Sequence, residues 1–576
     1  VTVNRYAKLA MEVLSMRYSE IESIDDQDLN ARGSSTGDRQ RSIQYLSVLD
    51  DRDPQRGDHA AQDLAELLRD LNLDQVFAKM AAQSPDYDLM PFYYRQPLAI
   101  ESIEYRHEVM RDLEEPANLQ CVRMFVQRMR TMRETAARID KMYDIRQKQR
   151  WFLHSVEAYC VAVQTLNDAL SDLVLSSRGL SSLQAYVARY SKSDMFTSIS
   201  TKSTELVTAL ADIRYALIIK GDGFTVRNYT GEIDYSAEVA ATFEKFRQVD
   251  VKDYFSKFAR SETMNHIETK VLEFIARLHP DIFATLDRFC VECKNFLDPV
   301  LARFDREVQF YLTYIDLIMP LKSAGLRFCY PLVSADDKTL HASTTFDLAL
   351  AVKLVGTKTR IVTNDFDLSG RERIFIVSGP NQGGKTTFAR TFGQLHYLAA
   401  LGLPVPGRDA RLFLCDAIFT HFEREELSRN LEGKLQDDLL RIRAILDAAT
   451  PRSIVIMNEI FNSTTADDAT SLARKILEQF VALDLLCVCV TFLDELVTVS
   501  DTTVSMVSTV MPDNPAERTY RIERRPADGE SYAISIAKKY RLTDECLRAR
   551  LARRQSLQTN RPAHGDSAGR SAKALS

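Results

Sequence analysis

The polar and apolar positions divide the chain into two textures. Between Pro116 and Pro280 there is no proline, and glycine is confined to positions 179, 221, 223 and 231. Stretches such as Val122 to Val174 carry apolar residues three and four apart among many charges. That spacing puts them on one helix face and predicts long packed helices. One interruption breaks the rhythm. The β-prone runs Ala216 to Ile219 and Phe224 to Val226 flank Lys220-Gly221-Asp222-Gly223, which predicts a hairpin over 213–233. Helical spacing resumes at Ala237 and runs through Ile318, with Pro280 and Pro299 at helix starts or kinks. Upstream, Tyr6 to Tyr18 predicts an amphipathic helix and the charged, Gly/Ser/Asp-rich Asp25 to Gly57 a mobile loop. Asn72 to Leu113 regains helical rhythm, with Pro85, Pro91 and Pro97 marking turns.

From about His341 short apolar runs alternate with helical stretches, which predicts an α/β layer. The strand candidates are Ile374–Val377, Ser453–Met457, Leu486–Thr491, Thr503–Val510 and Thr519–Glu523. The expected domains are a helical N-terminal segment with its loop (1–75), a mostly helical core (76–340), an α/β domain (341–550) and a basic tail (551–576).

Composition changes this picture little. The length suits about three to five domains, and a net charge of −6 gives no global attraction to nucleic acid, so any DNA contact needs a local basic surface. No apolar run approaches the roughly 18 residues of a membrane span, and the N-terminus lacks a signal-peptide core; a cytoplasmic protein with no membrane partner is expected. Nine cysteines are scattered through apolar patterns, as reduced core thiols are. Cys290 and Cys293 form one C-x-x-C without a second pair at zinc-ligand spacing, so they read as ordinary helix residues. From Arg548 onward seven Arg/Lys stand against one Asp, which suits a solvated tail or a DNA-binding arm.

The candidate chemistry lies between the first two strand candidates. Gly379-Pro380-Asn381-Gln382-Gly383-Gly384-Lys385-Thr386-Thr387 satisfies G-x-x-x-x-G-K-[ST]. It follows an apolar strand and precedes a helix over Thr386 to Leu401, with Phe388, Phe392, Leu395 and Leu398 on one face. This is the context that a phosphate-binding loop requires. Glycines let backbone N–H groups face phosphate oxygens, and the helix start adds positive potential. Lys385 is expected at the β- and γ-phosphates of ATP, and the Thr386 hydroxyl on Mg²⁺. Ser453 to Glu459 has a Walker B layout, an apolar strand ending in a polar pair. Glu459 is the candidate base for the attacking water, while Asn458 stands where an Asp supporting Mg²⁺ is usual. Weaker Mg²⁺ affinity is expected.

These residues resemble the ATPases of the MutS family. Ile376 to Thr387 is similar to that family's nucleotide loop, T-G-P-N-x-x-G-K-S-T. Gly402 to Pro406 resembles its G-x-x-V-P-A segment, with Asp416 to Thr420 as the strand after it. Ser453 to Thr465 resembles the Walker B strand and D-E-I-G-R-G-T-S turn, Asp468 to Ala473 the helix after that turn, and Gly529 to Ala537 the closing G-x-S-Y-G-x-x-V-A motif. Val362 to Asp365 resembles a V-P-N-D turn. Upstream, Leu98 to Leu113 looks like the opening of the MutS core, and the helices ending near Leu317 like its lever.

The resemblance implies an α/β P-loop ATPase domain of ABC type, preceded by a mostly helical core and lever domain. It implies a homodimer sandwiching ATP and Mg²⁺, and closure of that sandwich acting on DNA in repair. Three departures stand out. Phe492, within Thr491 to Leu496, takes the place of a γ-phosphate-sensing His in T-H-Y-x-E-L; Gly433 falls near the signature serine; and Asn458 replaces Asp. No counterpart of the mismatch-reading domain with its intercalating aromatic is apparent, nor a nuclease domain after 550. DNA recognition by shape rather than sequence is expected. The 213–233 hairpin is either a turn in the helical arm or a reduced clamp. Because of the altered positions, a second reading is a nucleotide-gated binding protein with slow or absent hydrolysis that acts on a protein partner.

Overall fold

A computed structural model of the chain describes residues 47–50, 61–94, 99–220, 223–232, 264–357, 359–423, 433–511, 514–526, 544 and 546–550. The helix expected at Tyr6 to Tyr18, most of the loop expected at Asp25 to Gly57, the start of the helical stretch at Ala237, the motif at Gly529 to Ala537 and the 551–576 tail lie outside these residues. Two compact units are formed, each from two stretches: Val1–Pro54 with Glu108–Leu312, and Gln55–His107 with Thr313–Ser576. The helices Ile100–Glu114 and Pro299–Ser323 each have residues in both.

The first unit is helical. Pro116–Ile139 and Ile145–Ser171 pack along their lengths, and Arg178–Tyr190, Asp194–Ala211 and Pro280–Glu292 pack on the latter. Helix starts follow the local sequence. Asp144, Ser177 and Ser193 accept the N–H groups of Gln147, Leu180 and Phe196, and Asn265 with Glu268 forms a capping box before His266–Leu278. Pro280 and Pro299 each begin a helix, where a missing N–H costs nothing. Phe125, Tyr159, Leu166 and Phe304 lie in the core, and Arg133 pairs with the buried Asp305. The hairpin is present: β1 (Tyr215–Lys220) runs antiparallel to β2 (Gly223–Asn228) as a separate two-stranded sheet.

The second unit carries the remaining strands: β3 (Phe328–Cys329), β4 (Leu332–Ser334), β5 (Leu340–Thr345), β6 (Asn364–Leu368), β7 (Ile374–Ser378), β8 (Val405–Pro406), β9 (Asp409–Phe413), β10 (Ile418–His421), β11 (Ile454–Asn458), β12 (Leu486–Val490), β13 (Thr503–Met511) and β14 (Asn514–Arg524). Together the units are a mixed fold of helix and sheet. The main sheet has the order β10-β11-β12-β7-β13-β14 and is parallel except for the antiparallel β13–β14 edge pair. Every residue of β7, β11 and β12 is buried, because helices cover both faces; that is why these strands read as unbroken apolar runs. Phe461, Leu477 and Phe480 form one core layer with Val455 and Cys487. Phe388 and Phe392, on the helix Lys385–Ala400, meet Phe366 and Phe375 at ring separations of 5.3–6.2 Å. A second sheet, β4-β9-β5-β6, and the short β3–β8 pair complete the unit.

The helices Ala61–Asp70 and Leu73–Ala81 also belong to this unit, and they pack against Lys385–Ala400. Arg390 Nε donates to the carbonyl of Asp70 and Gln394 Nε2 to that of Leu71, both at 2.8 Å. Thr420 of β10 donates to the Asp70 carboxylate at 2.7 Å. Burial holds that carboxyl above its ordinary range, although Thr420 and nearby Arg441 and Arg390 oppose the shift.

Candidate functional site

In open parallel sheets, sites form at the carboxyl ends of the strands. Here β7 ends at Ser378 and the chain turns through left-handed residues at Gly379 (φ 111°), Gln382 (φ 58°) and Gly384 (φ 95°) into the helix Lys385–Ala400. Two glycines have steric reasons. A Cβ on Gly379 would lie 2.9 Å from the Ser508 carbonyl oxygen, and one on Gly383 would lie 2.1 Å from Ser508 Oγ. Ser508, on β13, instead donates to the Gly383 carbonyl at 2.8 Å and braces the loop from the neighbouring strand.

Lys385 opens the helix and is only 4% exposed. Its Nζ donates to the Gly379 carbonyl at 2.7 Å, lies 3.5 Å from Asn381 Oδ1, and sits 3.9 Å from the centre of the Phe492 ring. Burial lowers its pKa from 10.5 to about 8; Glu459 and Asp494 oppose that shift, and Arg518 adds to it. One residue on, Thr386 Oγ1 donates to Asn458 Oδ1 at 2.8 Å, joining the loop's helix to the end of β11. Asn381 and Gln382 are exposed at the loop tip, Pro380 and Gly383 are buried, and Thr387 is half-buried, its carbonyl accepting from Thr391.

Glu459 follows β11 in a left-handed conformation (φ 56°), its N–H donating to the Val490 carbonyl at 2.9 Å. Such a conformation is uncommon for a non-glycine residue, and the backbone holds it there with a bond to β12. Phe492 lies just beyond β12 and is 44% exposed. The structure thus brings Lys385, Thr386, Asn458 and Phe492 into one cluster. Gly433 stands elsewhere, at the head of the helix Lys434–Ala448, where an added Cβ would meet nothing within 4 Å.

Three residues near the loop escaped motif reading. Ser508 is one. Arg518, on β14, donates through Nε to the Asn381 carbonyl at 3.2 Å. Tyr520, also on β14, has φ 59° and is 51% exposed; a Cβ on Gly384 would be 3.6 Å from its carbonyl oxygen. Asn364, noted within Val362 to Asp365, holds this hairpin through both ends of its amide: Nδ2 donates to the Tyr520 carbonyl at 3.2 Å, and Oδ1 accepts the Ile522 N–H at 2.8 Å. The C-x-x-C pair closes the helix Pro280–Glu292, and burial raises both thiols, Cys290 to about 12. Thiols so raised stay protonated and unreactive.

Residues 375–558 match the family model for MutS domain V, the ATPase domain of MutS proteins. The chain is 34% identical over 152 residues to the DNA mismatch repair protein MutS of Granulibacter bethesdensis, covering 26% of this chain and 16% of that protein. It is 36% identical over 121 residues to the DNA mismatch repair protein msh3 of Aspergillus fumigatus, covering 21% and 11%. With the DNA mismatch repair protein MSH3 of Kluyveromyces lactis it shares 26% identity over 273 residues, 46% of this chain and 26% of that one. The chain therefore spans between a tenth and about a quarter of the length of these relatives. Over residues 375–558, which begin within β7 and take in the whole glycine-rich loop, the chain is similar to domain V of the MutS family.

Proposed function

We propose that the chain is a MutS-like ATPase that binds ATP and Mg²⁺ at the glycine-rich loop, pairs with a second copy of itself, and couples nucleotide turnover to action on DNA. The observation that supports this best is the convergence of Lys385, Thr386 and Asn458 at the carboxyl end of a parallel sheet. Residues Gly379 to Thr387 would wrap the phosphates, with the Lys385 ammonium on the β- and γ-phosphates. Thr386 Oγ1 and Asn458 Oδ1 are the oxygens that would hold Mg²⁺. Both are hard donors 2.8 Å apart, so the set suits this ion, but it brings no negative charge. When bound, the ion would neutralise charge on the phosphate oxygens. Glu459 would orient the attacking water and take its proton. A second copy would supply donors on the open side of the γ-phosphate, and the helix Pro299–Ser323, shared between the two units, would serve as the lever.

One contact favours the alternative of a nucleotide-gated binding protein with slow or absent hydrolysis. The Phe492 ring, which can neither donate a hydrogen bond nor carry charge, occupies the face of the Lys385 ammonium. Steady-state ATP hydrolysis by the purified chain, alone and with duplex, mismatched or branched DNA, separates the readings. Turnover stimulated by DNA is expected. ATP binding without turnover under every condition would select the alternative, and no ATP binding would overturn both.

A second result is expected from the metal position. Asn458→Asp places a carboxylate beside Thr386, and charge-assisted contacts are roughly twice as strong as neutral ones. Hydrolysis should rise several-fold and saturate at lower Mg²⁺. An unchanged rate and Mg²⁺ titration would place the metal elsewhere.

A further inference from the structure

Between β11 and the helix Ala466–Ala482 the chain turns through two left-handed residues that are not glycine, Glu459 (φ 56°) and Phe461 (φ 62°). Glycine takes that conformation freely, whereas a bulky side chain there strains the backbone. Such strain persists only where the surroundings over-determine it, and it gathers at functional sites. Here the surroundings are the core. Successive side chains on a strand point to opposite faces, but Ile460 and Phe461 are both buried, 6% and 1% exposed, in one cluster with Ile374, Leu477, Phe480 and Leu496. The turn brings both into that cluster, and the cluster holds the backbone left-handed. Glu459 stands immediately before this anchor. Its N–H donates to the Val490 carbonyl at 2.9 Å, and its carboxylate lies close enough to Lys385 to oppose the fall in that lysine's pKa. Among the described residues no hydrogen bond or ion pair holds the Glu459 carboxylate itself. The backbone is what aims it.

We propose that Phe461 is a positioning residue for hydrolysis: its buried ring locks the left-handed turn after β11 and so fixes where the Glu459 carboxylate points. This rests on the reading of Glu459 as the base that activates water. Phe461 acts through the backbone and not by contact with the reacting atoms. A misplacement of about 1 Å can cost roughly a hundredfold in rate. A turn released from its anchor should therefore lose turnover, while the glycine-rich loop, whose contacts lie elsewhere, still binds ATP.

The test measures kcat per bound ATP, and ATP affinity, on the full chain for Phe461→Ala, Phe461→Leu, Leu477→Ala, Glu459→Gln and the unaltered protein. Alanine keeps the strain and loses the anchor, so kcat should fall about tenfold or more while ATP affinity changes less than about threefold. Leucine keeps an apolar anchor and should hold kcat within about threefold. Leu477→Ala opens a cavity in the same cluster but outside the turn. It should lower the melting temperature, as Phe461→Ala does, and leave kcat per bound ATP unchanged. An unchanged kcat in Phe461→Ala, or an equal fall in Leu477→Ala, would mean that the ring serves only the core; either overturns the proposal. Should Phe461→Ala fail to fold, Phe461→Val decides in its place, since a branched side chain fills more of the space yet resists the left-handed conformation. Glu459→Gln separates the two levels: if it abolishes turnover while Phe461→Ala is neutral, this inference falls and the base stands. If Glu459→Gln turns over normally, or the unaltered protein binds ATP without turnover, the reading of Glu459 as the base falls and this inference with it.

Discussion

Lys385→Ala should weaken ATP binding by about a hundredfold or more while leaving the fold intact. Hydrogen bonds to charged groups contribute about 1.5–3 kcal/mol each, and an ammonium bridging two phosphates makes at least two. About 3 kcal/mol corresponds to roughly two orders of magnitude in affinity. The fold should survive because the side chain packs little against the core: its contacts are the Gly379 carbonyl, Asn381 Oδ1 and the face of a half-exposed ring. Burying an ammonium costs stability, so removing it should leave the melting temperature equal or higher. Calorimetric titration with ATP, paired with thermal unfolding, checks both halves. Wild-type affinity in the variant would show that the loop is not the nucleotide site.

The same lysine sets a pH dependence with a definite sign. Burial lowers its pKa from 10.5 to about 8 in the folded chain without nucleotide. Between these values the unfolded chain holds a proton that the folded chain has lost, so the stability of the free protein rises with pH across that window. Nucleotide binding runs the other way. It needs the ammonium, so affinity should be constant below about pH 8 and fall toward tenfold per unit above it. The Ala variant should lose this slope.

The parts legible in sequence are those whose chemistry is contiguous. Ile374–Val377, the glycine-rich loop and the Asn458-Glu459 pair are each written within a few residues, because a strand buried on both faces must be apolar and a tight phosphate turn must be glycine-rich. The β13–β14 contribution is different. Ser508 and Arg518 lie more than a hundred residues beyond the carbonyls they bind, and no local pattern marks a strand residue as touching a distant loop. The turn-forming Asn514-Pro515 also hid the first half of β14, which extends five residues before the expected Thr519. The strand β5, Leu340–Thr345, was missed for another reason. Its sequence LHASTT is mostly polar, yet four of its six positions are buried, because β6 and β9 flank it in the second sheet. Of the helices Ala61–Asp70 and Leu73–Ala81, only the second falls within the helical rhythm legible over Asn72 to Leu113. Their attachment to the helix after the loop runs through the carbonyls of Asp70 and Leu71, and a backbone acceptor carries no residue-type signal.

That attachment yields the largest expected stability effect. Gln394 is fully buried on Lys385–Ala400 and satisfies three groups at once. Its Nε2 donates to the Leu71 carbonyl at 2.8 Å and to Asp347 Oδ1 at 2.9 Å, and its Oε1 accepts the Leu348 N–H at 2.8 Å. Asp347 in turn caps the helix Leu348–Leu354 by accepting the Leu350 N–H at 3.0 Å, and burial raises its pKa. Gln394→Leu keeps the volume but strips a partner from all three groups. A buried polar group left unsatisfied costs about 1–3 kcal/mol. The gain from burying an extra apolar side chain offsets only part of that, so a net loss of about 3–5 kcal/mol is expected. Chemical denaturation followed by far-UV circular dichroism should show the transition of the Gln55–His107 and Thr313–Ser576 unit moving to lower denaturant. Proteolysis under native conditions should cut first within residues 61–94, since the Gln394 bond to the Leu71 carbonyl is lost and the segment keeps the weaker hold of Arg390 on the Asp70 carbonyl. A loss below about 1 kcal/mol would mean that water or a shifted backbone replaces the amide, and that Gln394 is not what ties this segment to the helix behind the loop.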